Sequence, residues 1–517
     1  MSRKHAMLVL VGLLSLSLLL FGCSGPSGEP SAPSGDEITE IIIANPTDVT
    51  TMDPGWRTVM SDQYVNYYTL DTLFIRTPEG DLVPSLAESI EALSDTEWEV
   101  KLVEGVTFHN GESFDAETVK FSFDRMFNPD DPSPSAGRFD TIIEVRVVDD
   151  HTVHLITAEP DPLVPARIAQ LDMVPPGYYQ EHGRDHFASN PVGTGPYVFK
   201  EWVKDDRVVL EANPDYFLGE PSVPRIIFKP IPEYSTRLAL LRTGEVHLIP
   251  NVYPDDAADL GGEDGIEVYS TNTMRTMELM IRPDLEPTDN KLVRQAMNYA
   301  VDKEAIVNEI LSGFGEVANA QVIGPMYFGY HPELEAYPYD PDRARELLAE
   351  AGYPDGVDVE FYTPAGRYTM DTEIAEAVTE MLNDVGIRAQ LTKFEWGVYA
   401  QLQQDKDLGH INLFGFMNPM YDADGVMHGL FRSGVIWGVG PYWQVDRVDE
   451  LIQEGRTVID PDTREAIYHE LAEILRDEAP VIFMHHMTEI YGARDFVEFT
   501  PRPDDCPDVF GKPFMGQ

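Results

Sequence analysis

The sequence predicts an α/β fold, in which helices alternate with short strands. Residues 38–44 are rich in β-branched side chains and indicate a buried strand. The second half of the chain carries apolar residues at helical spacing, with glycine or proline between the runs. This alternation is typical of α/β lobes rather than of a β-sandwich.

Two further elements are predicted in the first half. Residues 96–102 alternate between apolar and polar side chains and predict a strand. Residues 116–126 predict a helix, because Val119, Phe123 and Met126 recur along one face.

The second half contains clear helix boundaries. Asp340 is a good N-cap, Pro341 suits the first helical position, and Gly352 suits the end of the same helix. Residues 374–385 form a second apolar stripe at helical spacing, and residues 387–391 read as the strand that follows it.

The N-terminus predicts export across the cytoplasmic membrane. A basic start and an apolar run over residues 6–21 are typical of a signal peptide, which we place at residues 1–22. Residues 20–23 resemble a lipobox, so we expect Cys23 to be lipidated and the protein to be a lipoprotein. The anchored protein would then be periplasmic or on the outer cell surface. A short membrane anchor at the N-terminus is the alternative. Residues 23–37 are rich in Ser, Pro and Gly and predict a flexible tether.

The charge is strongly negative. The 89 acidic and 37 basic residues give a formal net charge of −52. Such a surface repels nucleic acids and anionic membranes, so neither is an expected partner. It solubilises the protein and is compatible with a saline habitat. The chain has two cysteines, Cys23 and Cys506, so lipidation of Cys23 would exclude an intrachain disulfide.

The Gly-x-Gly in NPVGTGPYVFKEW, residues 190–202, suggests a phosphate loop at first sight. Such a loop needs a helix directly after the glycines, so that the helix N-terminus faces the anion. Here residues 196–202 predict a strand, and residues 207–210 predict its hairpin partner. We therefore interpret the glycines as shaping a tight turn into a strand.

No catalytic or metal motif is recognisable. The chain lacks the Gly-x-Ser-x-Gly nucleophile elbow, and His469-Glu470 lacks the second histidine of a helical zinc site. His485 and His486 could offer ligands to a metal, but adjacent strand residues point to opposite faces. A strand at a domain edge is the alternative. We predict no metal, no cofactor and no enzymatic activity.

Five segments together resemble a known family, the extracellular solute-binding proteins of the peptide/nickel/oligosaccharide type (family 5), which serve ABC importers. The resemblance runs from about residue 44 to residue 480. The segments are LVPSLAESIEALSDTEWEVKLVEGVTFHNGESFDAETVKFSFDR (82–125), NPVGTGPYVFKEW (190–202), NKLVRQAMNYAVDKEAIV (290–307), YDPDRARELLAEAGYPDG (339–356) and AEAVTEMLNDVGIRAQL (375–391).

The resemblance implies a two-lobed α/β fold of the periplasmic-binding-protein type (class II), with an extra inserted domain and a hinged cleft. We place the hinge in two crossing segments, residues 272–280 and 475–482. The implied layout is a discontinuous first-lobe domain at 38–75, 187–276 and 478–517, an inserted domain at 76–186, and a second lobe at 277–477.

The resemblance also bears on the ligand. Peptide-binding members carry an aspartate that pairs with the peptide's α-amine, and the matching position here is Pro419. An unpaired buried ammonium is costly, so that mode of peptide binding is disfavoured. Asp422 could substitute, or it could cap a helix instead.

Aromatic side chains in the segments matched to the cleft suit sugar rings or apolar groups, although each could equally be a core residue. Tyr442 and Trp443 are further aromatics of this region. Arg367 could grip a carboxylate or hydroxyl groups, or could lie on the surface. The candidate ligand-binding residues are Arg367, Tyr368, Trp396, Phe416, Asn418, Tyr421, Asp422 and Trp437.

The resemblance therefore predicts a solute-binding lipoprotein that captures a small organic solute by cleft closure. Its expected partners are the solute, an ABC permease with its ATPase subunits, and the membrane through the lipid anchor. The missing aspartate and the aromatic residues favour an oligosaccharide, with an oligopeptide next. A secreted hydrolase and a chemosensory binding protein are the alternatives.

Overall fold

Strands and helices alternate along the chain. The computed structural model describes residues 38–57, 59–435, 438–509 and 511. The strands are β1 (Ile41–Asn45), β2 (Phe74–Arg76), β3 (Leu82–Pro84), β4 (Ala87–Ser94), β5 (Glu97–Leu102), β6 (Ile142–Asp149), β7 (Thr152–Thr157), β8 (Tyr197–Val203), β9 (Arg207–Ala212), β10 (Arg225–Pro230), β11 (Leu248–Ile249), β12 (Ile266–Ile281), β13 (Gly315–Val317), β14 (Val357–Pro364), β15 (Ile387–Phe394), β16 (Ile411–Phe416) and β17 (Val481–Arg494). The α-helices are α1 (Met60–Thr69), α2 (Ala116–Asp124), α3 (Val164–Ile168), α4 (Pro176–His182), α5 (Arg184–Phe187), α6 (Tyr234–Thr243), α7 (Pro254–Leu260), α8 (Lys291–Ala300), α9 (Lys303–Ala305), α10 (Pro341–Glu350), α11 (Asp371–Asp384), α12 (Trp396–Gln404), α13 (Ala423–Phe431), α14 (Asp446–Thr457) and α15 (Pro461–Glu478). Two 3-10 turns and a π-helical turn cover Arg125–Phe127, Ala136–Phe139 and Ile306–Ile310.

Two long antiparallel strands, β12 and β17, join the two halves of the molecule. They are neighbours in an eleven-stranded sheet of order β15-β14-β16-β12-β17-β11-β1-β10-β9-β8, with β13 also paired to β17. The strands β1 and β8–β11 form the sheet of the first lobe. The second lobe contains β13–β16 and α8–α15. The β12–β17 pairing shifts register between Asn272 and Thr276, and again between Met277 and Glu278. Both shifts lie in the first of the two segments predicted to cross between the lobes.

A separate antiparallel sheet of order β4-β5-β7-β6 lies in the first lobe. Its buried face packs with α2 around a core of its own, which includes Val100, Phe114, Val119 and Val153. This sheet lies within residues 76–186, the range predicted for the inserted domain. The predicted strand at 96–102 and helix at 116–126 correspond to β5 and to α2 with the following 3-10 turn.

The two ends of α10, in the second lobe, are formed as predicted. The Asp340 carboxylate accepts a hydrogen bond from the backbone N–H of Arg343 over 2.9 Å, and Pro341 is the first residue of α10. Gly352, just beyond the end of α10, has a φ of +96°, which favours glycine. Apolar side chains of α8 and α11 then pack on β14 and β16. Burying each such side chain contributes about 1.5–3 kcal/mol.

The two glycines of the Gly-x-Gly segment allow a close backbone approach. A Cβ atom at Gly193 would lie 1.9 Å from the carbonyl oxygen of Thr69, and one at Gly195 would lie 2.6 Å from the Thr69 carbonyl carbon. The segment leads into β8, which pairs with β9 as a hairpin. The predicted hairpin is confirmed, and the glycines are needed because the loop packs on the end of α1.

No helix within the described ranges is both long enough and apolar enough to cross a bilayer.

Candidate functional site

A cavity of about 100 Å³ lies between the lobes. The first lobe supplies most of its wall, from α1, from β2 and from the C-terminal segment. The second lobe contributes two residues, both in the loop between β16 and α13. The lining residues are Arg57, Gln63, Tyr67, Leu70, Thr72, Ile75, Arg76, Ala169, Gln170, Asp172, Pro419, Tyr421, Arg502 and Asp504.

Arg76 joins the two walls of this cavity. Its guanidinium donates to the carbonyl oxygen of Gly80 over 2.7 Å and, across the lobe boundary, to the carbonyl oxygen of Met420 over 2.6 Å. The same guanidinium lies 4.8 Å from the ring centre of Tyr421. Arg76 is therefore a contact between the lobes at the edge of the cavity.

Tyr421 is held in an unusual backbone conformation. Its φ is +58°, a region that non-glycine residues rarely adopt. Its side chain is 7% exposed and packs so closely on Gly80 that a Cβ at that glycine would lie 2.8 Å from the Tyr421 ring. Burial raises the pKa of Tyr421 above its ordinary range, so the hydroxyl stays protonated.

Arg367, Tyr368 and Trp396, three of the predicted site residues, come together in the second lobe. The guanidinium of Arg367 lies 5.2 Å from the ring centre of Tyr368 and 4.9 Å from that of Trp396. The carboxylate of Asp371 accepts hydrogen bonds from the backbone N–H groups of Gly366, Arg367 and Tyr368 over 2.8–3.0 Å. This bonding fixes the loop that presents Arg367.

Arg367 is exposed, but protein atoms lie close around its guanidinium. Desolvation by the surrounding protein lowers its pKa. The Asp505 carboxylate, which belongs to the first lobe, acts in the opposite direction. Arg367 forms no ion pair with any residue that the structure describes. Arg367 is therefore a cation near Asp505 but without a close ion-pair partner among the described residues.

A buried group of opposite charges lies near Arg367. Nη2 of Arg275, on β12, donates to Oδ2 of Asp505 over 3.5 Å. Glu489, on β17, accepts hydrogen bonds from the backbone N–H and the side-chain amide of Asn251 over 2.6 and 3.2 Å. Burial and the Asp505 charge raise the pKa of Glu489 to about 8. The sequence analysis did not identify these residues, because a chain this acidic offers no distinctive carboxylate pair.

The two adjacent histidines of β17 are core residues. His485 and His486 are both buried, and His486 Nδ1 lies 3.0 Å from the hydroxyl of Thr276. Burial lowers the pKa of His485 to about 3 and that of His486 to about 4, so both are neutral. No group of three or more potential metal ligands occurs among the described residues. The strand interpretation is confirmed, since both histidines lie in β17, which is an inner strand of the large sheet.

Comparison with known proteins decides the family. The model of the "Bacterial extracellular solute-binding proteins, family 5 Middle" matches residues 81–437, more than half of the chain. The chain belongs to family 5. The Dipeptide-binding protein of Escherichia coli K12 is 28% identical to this family 5 chain over 437 residues, which are 79% of this chain and 81% of the relative. The Glutathione-binding protein GsiB of Pectobacterium atrosepticum is 28% identical over 457 residues, 86% of this chain and 88% of the relative.

A solved structure agrees in fold. The periplasmic binding protein DppA from Helicobacter pylori, in complex with the peptide STSA, has a TM-score of 0.81 at 24% identity, and the match covers 92% of this chain and 98% of that one. The predicted two-lobed α/β fold and the family resemblance are confirmed. This family 5 chain is a solute-binding protein of the ABC importer type, a class of binding proteins rather than enzymes.

Three other predicted site residues of this family 5 chain have structural roles. Asp422 caps α13 through the N–H of Asp424, and both of its oxygens bind the buried guanidinium of Arg464 over 2.6 Å. The capping alternative is therefore confirmed, and both Asp422 oxygens are already engaged by Arg464. Asn418 accepts a hydrogen bond from the N–H of Met420 over 3.0 Å and shapes the same loop. Phe416 is half-buried and stacks on Phe414, with 6.1 Å between ring centres.

Two further aromatic residues of this region also have contacts within the second lobe, and two predicted residues are not described by the structure. Trp443 packs against the core of the second lobe, and Tyr442 lies under the guanidinium of Arg282 at 3.9 Å. Trp437 and the predicted lipidation site Cys23 lie outside the described residues. Of the predicted site residues, Tyr421 lines the inter-lobe cavity, whereas Arg367, Tyr368 and Trp396 form a separate cluster in the second lobe.

Proposed function

We propose that this family 5 protein captures a short peptide, or a peptide-like amino-acid conjugate, between its lobes. It then presents the solute unchanged to an ABC permease and its ATPase subunits. The relatives at 28% identity are named for dipeptides and for glutathione, which is itself a tripeptide. Peptides therefore take precedence over the oligosaccharide that the sequence alone favoured.

The choice of a ligand with a carboxylate rests on the position of Arg367. Its guanidinium has no ion-pair partner within the described part of the chain, and the Asp505 carboxylate is an acidic group of the first lobe that acts on it. A guanidinium binds a carboxylate through two parallel hydrogen bonds, which are stronger than bonds between neutral groups. We assign the solute's carboxylate to Arg367, with Trp396 beside it as an apolar wall.

The aromatic residues supply less of a sugar-binding surface than the sequence suggested. Tyr368 and Tyr421 are 8% and 7% exposed, so their faces are largely covered by protein. Phe416 packs on Phe414 and on the second-lobe core. Trp396 is half-buried, and its ring lies beside the Arg367 guanidinium. An oligosaccharide is the alternative solute, and its binding would require a different set of contacts.

Capture would proceed by closure about β12 and β17. The register shifts of β12 between Asn272 and Glu278 interrupt the regular pairing in the segment where we place the hinge. A solute that contacts both lobes binds the closed form more tightly than the open form and so shifts the population toward closure. Small-angle scattering should show a smaller radius of gyration with ligand than without it.

The lipid anchor belongs to the same proposal. Lipidation at Cys23 would hold the protein at the outer face of the membrane, close to its permease, through the tether at 23–37. Expression of a Cys23→Ser variant in the native host tests this step. The variant should be released into the soluble fraction, whereas the wild type stays with the membrane.

The identity of the solute is tested by mass spectrometry of the molecule released from the purified mature protein. Isothermal titration with the synthetic compound, and with a panel of dipeptides and oligosaccharides, then gives the affinity. We expect a peptide-like compound with a free carboxylate, bound one to one and recovered unchanged. A bound sugar would overturn the choice of ligand, and turnover of the compound would favour the hydrolase alternative.

A further inference from the structure

The inter-lobe cavity has the opposite charge to the rest of the protein. Its lining includes three arginines, Arg57, Arg76 and Arg502, and two aspartates, Asp172 and Asp504, which together give a charge of +1. The whole chain carries −52. A net positive cavity in so acidic a protein favours an anionic group.

The two carboxylates of the cavity are already engaged. Asp504 accepts two hydrogen bonds from Arg502, at 3.0 Å from Nε and 2.7 Å from Nη2. Asp172 pairs with Nη1 of Arg57 over 2.8 Å. A ligand ammonium would have to displace one of these arginines. The second-lobe wall provides no carboxylate, since its two residues are Pro419 and Tyr421.

Three hydrogen-bond donors of the cavity residues, in contrast, are unpaired in the described structure. Nε of Arg76, Nη1 of Arg502 and the hydroxyl of Tyr421 are buried and have no partner among the described residues. Arg502 is 1% exposed and Tyr421 is 7% exposed. Buried donors without partners are rare in folded proteins and costly to leave unpaired. All three residues line the same cavity, so one bound acceptor group could serve them together.

We propose that this cavity binds a carboxylate of the solute. It would be a second carboxylate-binding subsite, separate from Arg367. Arg367 does not line the cavity, so the two guanidinium sites are separate. The solute class is therefore a peptide-like dicarboxylate, such as a dipeptide whose amino end carries an acidic acyl group. This inference rests on the proposed function, because it names the substrate class of the same cleft. The bound carboxylate would also join Arg76 and Arg502 of the first lobe to Tyr421 of the second.

Three matched probes test the subsite by isothermal titration of the full mature protein. Ala-Ala has a free amine, N-acetyl-Ala-Ala is neutral at that end, and N-succinyl-Ala-Ala carries a carboxylate there. We expect the succinyl compound to bind at least about tenfold more tightly than the acetyl compound, as a charged hydrogen-bonded group should. Equal binding of the acetyl and succinyl compounds, or tightest binding of Ala-Ala, overturns the second carboxylate-binding subsite but leaves the proposed function intact. If none of the three binds, both proposals fail.

Variants then assign the preference to the cavity. Tyr421→Phe removes the hydroxyl, which has no partner in the described structure, so the fold should be unaffected. Arg76→Gln removes a cation and the contact to Met420. Each variant should lose most of the preference for the succinyl over the acetyl compound. The matched controls Tyr339→Phe and Arg345→Gln, at exposed positions, should keep it. An unchanged preference in Tyr421→Phe and Arg76→Gln places the subsite elsewhere and overturns the assignment.

Discussion

Nη2 of Arg167 lies 3.2 Å from Oδ2 of Asp424, and the two buried residues belong to different lobes. Arg167 lies in α3 and also binds Asp161 over 2.8 Å, whereas Asp424 lies in the first turn of α13. Arg456 adds a second bridge, at 3.4 Å from Asp424 and 3.2 Å from Asp140. These charges form a buried network that is complete in the conformation with the lobes in contact. Opening the lobes would separate Arg167 from Asp424.

Replacing Asp424 with Asn should favour the open conformation. The change leaves Arg167 and Arg456 without their shared counter-charge at the interface, and removing one partner of a buried ion pair costs about 3–5 kcal/mol. Since the ligand binds the closed form, a smaller population of that form should lower the apparent affinity. Small-angle scattering and isothermal titration measure the two effects. An Asp342→Asn variant, in which an exposed ion pair with Arg345 is lost, is the control and should behave like the wild type. Unchanged scattering and affinity in Asp424→Asn would show that the network does not govern closure.

Arg367→Gln should weaken binding of the identified solute by about tenfold or more, because a charge-assisted bidentate contact is replaced by a weaker neutral one. Trp396→Ala should have a smaller effect in the same direction, through the loss of the wall beside the guanidinium. Titration calorimetry measures both. Arg388→Gln is a suitable control, since Arg388 is exposed and pairs with Asp358 on the surface of the second lobe. If neither Arg367→Gln nor Trp396→Ala changes the affinity, the ligand lies elsewhere in the cleft.

The local elements of the fold could be predicted from the sequence, because their signals are local. Asp340, Pro341 and Gly352 mark the two ends of α10 through capping and backbone preferences that span a few residues. The β8–β9 hairpin is similarly local. The role of Gly193 could not be predicted in this way, since the backbone that it approaches is that of Thr69, more than a hundred residues earlier.

The site could be predicted only in part, for a physical reason. Arg167 and Asp424 are 257 positions apart, and Arg275 and Asp505 are 230 apart. With 89 acidic residues in the chain, almost any arginine has many candidate partners, so sequence alone cannot select among them. For Asp422, three residues after Pro419, the sequence left both a ligand contact and a helix cap open. Its pairing with Arg464, 42 positions away, depends on the tertiary fold.

Glu489 should make the stability depend on pH. Burial, with the Asp505 charge, raises the pKa of Glu489 from its ordinary value of 4.5 to about 8, while the N–H of Asn251 and the charges of Arg275 and Arg237 act the other way. Between those two pH values the folded protein holds a proton that the unfolded chain has released. The free energy of unfolding should therefore fall as the pH rises through this window.

Glu489→Gln removes that titration. Urea unfolding of the wild type and the variant, at several pH values between about 4.5 and about 8, gives the difference in their free energies of unfolding. The wild type should lose stability relative to the variant as the pH rises. Glu498→Gln, at an exposed position, should show no such trend. A difference between wild type and Glu489→Gln that is constant across the window would contradict the assignment.

Gly193→Ala should destabilise the protein through a steric clash. The added Cβ would lie 1.9 Å from the Thr69 carbonyl oxygen and 2.6 Å from a methyl group of Leu70, so the loop must move away from the end of α1. Forced overpacking of this kind costs about 1–3 kcal/mol, and backbone atoms cannot yield as a flexible side chain can. Thermal unfolding should therefore occur at a lower temperature than in the wild type. Gly137→Ala is the matched control, because a Cβ there meets no atom within 4 Å. Equal unfolding temperatures for the two variants would show that the loop can relax, and that the close approach to Thr69 is not what requires glycine.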